Sequence, residues 1–146
     1  MQATVATKIT IQASPAAVFE YLTNLKYHYL WNPQTHSISS TKRIKLGSTY
    51  QTENMVLGTK FKGSNVVTAL SAPKHLTIEN SLGLVTWKAD FRLYKRGPQT
   101  EVKLSTKVTT DSKVFVFTLP ILKKLALREL RTDLQALKIA VEDHLE

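Results

Sequence analysis

The sequence predicts an α+β fold in which one mostly antiparallel sheet carries a long C-terminal helix. Three observations point there. Residues 3–12 place Val5, Thr7, Ile9 and Ile11 on one side and Ala6, Lys8, Thr10 and Gln12 on the other, the period of a half-buried strand. From about 37 to 111, strand-like runs are separated only by short turn signals. Such connections join antiparallel neighbours, because parallel pairing requires crossovers of a dozen or more residues. From 119 to 145, Leu122, Ala126, Leu130, Leu134, Leu137, Val141 and Leu145 recur every three or four positions with charged residues opposite, which is the stripe of an amphipathic helix.

The elements between follow from local chemistry. After the first strand, Ser14 is suited to cap a helix and Pro15 to open it, with Val18, Leu22 and Leu25 at helical spacing. A second short helix covers "KYHYLWN" and must end near Asn32, since the residue before Pro33 is pushed out of the helical region. Breaks at Gly47, at Gly58, at 71–74, at 81–83 and at 95–99 then divide the middle of the chain into six strands.

A chain of 146 residues fits one domain, residues 1–146, large enough to bury a single core. It contains no cysteine, which removes disulfides, thiolate nucleophiles and cysteine-bound metals from consideration. The first twelve residues show no basic segment followed by an apolar core, so a cytoplasmic location is the simplest expectation. The most apolar stretch, "VFVFTLPIL", has nine residues against the roughly 20 that a membrane helix needs. Net charge is +9, yet residues 1–112 hold 14 Lys+Arg against 6 Asp+Glu and residues 113–146 hold 6 against 5, so the excess is spread out. No aromatic residues interleave with the tight basic groups as a nucleic-acid platform requires, and a solvated basic surface is the preferred reading, with attraction to anionic membrane next and nucleic acid last.

The first strand leading into "SPAAVFEYLTNL", the "YLWNP" element at 29–33, "LGSTYQ" at 46–51, "VVTALSAPKHLTIE" at 66–79 and "RELRTDLQALKIAVE" at 128–142, taken in this order, resemble the START-like superfamily. That superfamily includes birch-pollen-allergen-like proteins and polyketide cyclase/dehydrase-like bacterial proteins. The resemblance covers the whole chain and implies a helix-grip fold: a seven-stranded curved antiparallel sheet, two short helices, and a long C-terminal helix packed across the sheet. It also implies that the Trp-Asn-Pro element packs at the base of the grip, so that Trp31 and Pro33 serve structure, and that a cavity lies between sheet and last helix. The fold hosts carriers, cyclases, hydrolases and chaperone-associated domains, so it does not by itself choose an activity.

His28, His36, His75 and His144 lack the spacing of metal ligands and are expected to be surface or hydrogen-bonded groups, the alternative for His28 or His36 being a catalytic or pH-sensing role. There is no G-x-S-x-G elbow and no phosphate loop. No catalytic residue, metal or cofactor is assigned. Strand parity sends Asp90 and Glu101 outward with Lys88, Arg92, Lys103 and Lys107. It sends inward Tyr50, Thr52, Asn54, Phe61, Asn65, Val67, Leu76, Ile78, Val85, Trp87, Ala89, Phe91, Leu93, Val102, Leu104, Thr106 and Val108.

An apolar surface with a few neutral polar groups suits a small-molecule cavity. Its expected lining is Tyr50, Thr52, Asn54, Phe61, Asn65, Val67, Ile78, Trp87, Phe91, Leu104 and Thr106 from the sheet, with Leu122, Ala126 and Leu130 from the helix. In the other reading these polar groups satisfy one another in a filled core. The resemblance places Phe115, Phe117 and Leu119 at the cavity entrance, where an apolar patch rimmed by Lys123 and Lys124 would meet an anionic membrane; otherwise Val114–Phe117 continue the strand and helix junction into the core.

The expected function is binding or transport of a hydrophobic small molecule such as a lipid, isoprenoid or polyketide-like compound. The first alternative is a cyclase/dehydratase-type enzyme using Tyr50, Asn54, Asn65, Glu79 and Trp87, with Glu79 as general base. The second is a protein-interaction module. A large apolar void favours the carrier, a smaller one with a convergent carboxylate or histidine favours the enzyme, and a filled core favours the interaction module.

Overall fold

In the computed structural model, β1 (Gln2–Ile11) is followed by α1 (Pro15–Thr23), a single 3-10 turn (Leu25–Tyr27) and α2 (His28–Trp31). Six strands follow, β2 (Thr35–Ile38), β3 (Thr49–Val56), β4 (Thr59–Ser71), β5 (His75–Leu82), β6 (Val85–Arg96) and β7 (Gln99–Thr110), and α3 (Lys113–His144) closes the chain. The structure describes residues 2–56, 58–83, 85–111 and 113–144, but not the side chains of Val56, Thr59, Leu82, residues 113–119, Leu122 and His144.

The local signals act as expected. The Ser14 hydroxyl accepts a hydrogen bond from the Ala17 N–H at 3.2 Å, satisfying one of the free donors of α1, and Pro15 sits where a missing N–H costs nothing. α2 stops at Asn32 ahead of Pro33. The β6–β7 turn carries Gly97 at φ 60°, a left-handed conformation that a side chain would resist.

All seven strands form one antiparallel sheet in the order β1-β7-β6-β5-β4-β3-β2. Register shifts between Thr35 and Ser37 and between Val67 and Ala69 add twist to the curved sheet on that side. Its concave face carries Ile11, Tyr50, Leu76, Ile78, Phe91, Leu93, Val102 and Leu104 into one core with Val18, Leu22, Leu25 and Trp31 from the short helices and Leu130, Leu134, Leu137 and Val141 from α3. Of the residues expected to face inward, Phe61 alone is described as exposed.

One boundary differs from expectation. α3 begins at Lys113, not at 119, so Pro120 lies inside the helix and not at its first turn. A proline removes one main-chain hydrogen bond and crowds the preceding turn, but the turns on either side carry the helix through. Among the described residues, no helix is long and apolar enough to cross a membrane.

α3 packs against β1, β7, α1 and α2. Its C-terminal half is tied to β1 and the residue that follows it: Lys138 Nζ donates to the Thr10 carbonyl at 3.0 Å and to Glu142 at 2.7 Å, and Glu142 accepts from the Gln12 N–H at 3.3 Å. The N-terminal half is left spanning the middle strands, and the site lies beneath it.

Candidate functional site

Between α2, the concave face of the sheet and α3 is a cavity of about 260 Å³. Its floor is built by alternation along consecutive strands: Tyr50, Thr52 and Asn54 from β3, Asn65 from β4, Ile78 and Asn80 from β5, Trp87, Ala89 and Phe91 from β6, and Leu104 from β7. α3 supplies Leu125, Ala126, Glu129, Leu130 and Asp133, and His28, Trp31, Asn32 and Gln34 close the side at α2. The volume lies near the lower end of small-molecule sites, about 300–1,000 Å³.

Ten of the residues expected from parity and the helix stripe surround this space: Tyr50, Thr52, Asn54, Asn65, Ile78, Trp87, Phe91, Leu104, Ala126 and Leu130. Three do not. Phe61 shares the concave face through its pairing with Asn54, but it lies towards the hairpin tip and is 42% exposed. Val67 is 1% exposed and belongs to the filled core, two residues further along β4 than Asn65. Thr106 is also buried, in register with Val5 and Ala89, in the part of the sheet close to α3. Parity assigns a face and does not say how far along a strand the gap under the helix extends. The side chains of Leu122, Phe115, Phe117 and Leu119 lie outside the described residues.

Glu79 is removed from the candidate chemistry. Its register with Val66 and Lys88 puts it on the convex face, and it does not reach the cavity. Among the described residues, the ionisable groups that do are His28, Tyr50, Glu129 and Asp133, of which the sequence reading passed over the last two. A signal for Asp133 was present: it stands seven residues after Ala126 and four before Leu137, which places it within the apolar stripe.

Trp31 is both a structural residue and a wall. Its indole Nε1–H donates to the Tyr21 carbonyl at 3.0 Å, and its ring meets Phe91 edge-on at 5.6 Å and His28 at 4.7 Å. From His28 a polar relay runs into the sheet. Thr35 Oγ1 lies 3.0 Å from His28 Nε2 and donates to Asn54 Oδ1 at 3.0 Å, so the His28 Nε2 carries the hydrogen and donates to Thr35. His28 Nδ1 is then a bare acceptor, and it has no partner. A second set joins Asn80 to Asn65 at 2.6 Å and Asn65 to the Thr52 hydroxyl at 3.1 Å and the Tyr50 carbonyl at 3.2 Å.

Burial sets the protonation of these groups. His28, 5% exposed, is pushed down to about 4, which makes it neutral near pH 7. Desolvation and, next, the charge of Glu129 push Asp133 up to about 8; Glu129 is itself raised by desolvation, against a hydrogen bond from Gln34. Desolvation also raises Tyr50. Asp133 Oδ1 and Trp87 Nε1 are buried without hydrogen-bond partners, as is His28 Nδ1. All three atoms belong to residues that line the cavity, where unpaired polar groups are positions at which a bound molecule gains specificity.

This architecture is a helix-grip fold. No protein-family model and no curated protein matches the sequence. Solved structures do match in fold. The chain is similar to a START superfamily protein from Mycobacterium smegmatis, at 19% identity with a TM-score of 0.81 over 96% of this chain and 97% of that one. It is similar to the ZhuI aromatase/cyclase from Streptomyces sp. R1128, at 14% identity with a TM-score of 0.86 over 100% and 97%. A protein from Thermus thermophilus aligns at 14% identity and a TM-score of 0.84 over 99% and 100%. At these identities the likeness is one of fold.

Proposed function

We propose that this chain binds a small, largely apolar molecule carrying a few polar groups, in the cavity between the sheet and α3. The observation that carries the reading is the wall itself. Trp31, Ile78, Ala89, Phe91, Leu104, Leu125, Ala126 and Leu130 supply apolar area, while His28 Nδ1, Trp87 Nε1 and Asp133 Oδ1 are polar atoms without partners. Apolar contact provides affinity and the few polar atoms orient the occupant. The volume favours a compact ring system over a long acyl chain. An interaction module with a filled core has less support, because the space under α3 is open.

Native mass spectrometry of the purified protein, before and after denaturing extraction, tests the reading. A defined small molecule bound at near-stoichiometric level is the expected result. An empty protein that also leaves its Trp31 and Trp87 fluorescence unchanged on titration with 2-naphthylmethanol would overturn it.

A second reading, acid–base chemistry on a carbonyl compound, is favoured by one observation: a bare imidazole nitrogen at His28 and a carboxyl held protonated at Asp133 face one cavity. It predicts that the protein speeds deuterium exchange at the carbon between the carbonyls of benzoylacetone, followed by NMR, and that His28→Phe abolishes the effect. No acceleration by the wild-type protein would rule this reading out.

A further inference from the structure

One end of the cavity wall gathers two carboxyls and a bare imidazole nitrogen, in a protein whose net charge is +9. Glu129 and Asp133 stand one turn apart on α3 and both line the space. Glu129 is hydrogen-bonded by Gln34, whereas the buried Asp133 Oδ1 has no partner. Across from them His28, 5% exposed, has its Nε2–H committed to Thr35, so its unpartnered Nδ1 can only accept. Among the described residues, no Lys or Arg lines the cavity. α2 brings His28, β3 brings Tyr50, α3 brings the two carboxyls, and β4 to β7 bring no titratable group.

We propose that the cavity takes a protonated amine on a compact apolar body, with the ammonium seated against Asp133 and Glu129 and the body against the aromatic wall. The inference rests on the binding reading above and adds the charge class of the occupant. An ammonium presents only donors, which complement the Asp133 and Glu129 carboxyls and the accepting His28 Nδ1. Its charge supplies the counter-ion that two neighbouring buried carboxyls lack. Trp31, Tyr50, Trp87 and Phe91 offer ring faces for the cation and its hydrocarbon body. A carboxylate-headed molecule such as a fatty acid would place a further anion beside Glu129 with no Lys or Arg among the described lining residues to meet it, and is disfavoured by the same argument.

Binding is coupled to a proton. The empty site holds Asp133 protonated at pH 7, its value pushed up to about 8 by desolvation and by Glu129. An ammonium that arrives already charged restores the carboxylate and expels that proton. Affinity for the amine therefore rises with pH between about 6 and 8.

Three isosteres decide the matter: 2-naphthylmethylamine, 2-naphthylmethanol and 2-naphthoic acid, titrated calorimetrically at pH 7 in two buffers of different ionisation enthalpy. The amine is expected to bind roughly tenfold or more tighter than the alcohol, as close buried charge pairs do, with release of about one proton, and the acid least of all. Asp133→Asn should erase the preference for the amine and its proton release, while retained affinity for the alcohol shows that the cavity is intact. Glu129→Gln should reduce the preference in part. An alcohol or acid that binds as tightly as the amine overturns the charge inference and leaves the binding reading standing. Failure of all three to bind overturns both.

Discussion

Two aspartates on opposite sides of the same wall show how differently this fold treats a carboxyl group. Asp90 lies on the convex face of β6, where it accepts from Thr77 Oγ1 at 2.8 Å and Arg92 Nε at 3.0 Å and pairs with His75 Nε2. Burial alone would raise it, but the hydrogen bonds from His75, Thr77 and Arg92 hold it below the ordinary carboxylate value. Asp133 lines the cavity with one oxygen unpartnered, and burial, then the charge of Glu129, pushes it up to about 8. Local donors, and not net charge, decide the outcome. Cations sit on surfaces such as the row Lys8, Lys103 and Arg92 across the outer face of β1, β7 and β6, while among the described residues none lines the cavity.

The largest effect that would break this comparison comes from Asp133. Its folded value lies above its ordinary 3.8, so its contribution is unfavourable, absent below about pH 4 and complete above about pH 8. Stability should fall by about 1.4 kcal/mol per pH unit inside that window. Asp133→Asn should remove this slope and leave the protein more stable at pH 7, by on the order of 4 kcal/mol. Urea denaturation at pH 5, 7 and 8 measures both; equal slopes in the two proteins would show that Asp133 is ionised and paired after all.

Next is the relay. Thr35→Val leaves the His28 Nε2–H and Asn54 Oδ1 unpaired and should cost about 2 kcal/mol, with weaker binding of any cavity occupant. In the wild type, nitrogen-15 NMR should show His28 with hydrogen on Nε2 and none on Nδ1, and no titration above about pH 5. A His28 that titrates near 6.5 would contradict the burial that orders the site.

On the outer face, Asp90→Asn should cost about 1–2 kcal/mol at pH 7. Because the folded value of Asp90 lies below its ordinary 3.8, that contribution is present above about pH 4 and disappears as the pH falls further, the reverse of Asp133. Guanidinium denaturation at pH 7 and pH 3 reads the difference. The smallest effect belongs to Lys8→Gln on the same face, expected within about 0.5 kcal/mol in stability and without effect on cavity binding.

Much of this architecture was legible in the sequence because its signals are local. Alternation from Val5 to Ile11, the Ser14–Pro15 pair, the halt before Pro33 and the turn at Gly97 each act through neighbouring residues. The floor of the cavity was legible for the same reason, since Tyr50, Thr52 and Asn54, or Trp87 and Phe91, face one way by strand geometry alone. Phe61 and Val67 obey that parity yet miss the cavity, because its extent depends on where a helix some sixty residues later crosses the strand. Glu79, named as the base of the enzyme alternative, lies outside because its strand register pairs it with Lys88 on the convex face.

The polar end of the site was harder to see. Asp133 reads as one more charge on an amphipathic helix unless its angular position within the stripe is worked out. His28 reads as one of four scattered histidines, and its tautomer follows only from Thr35 and Asn54 standing in line behind it.

By itself, then, the sequence determined the order and type of the elements, the antiparallel pairing and which face of each strand turns inward, since these follow from periodicities and breakers that act over a few residues. Only the tertiary structure decided that α3 packs on β1 and leaves a gap over the middle strands, that two of its carboxyls border that gap, and that His28 accepts there and does not donate. These depend on groups far apart in the chain, and on desolvation, which no residue experiences until the others have closed around it.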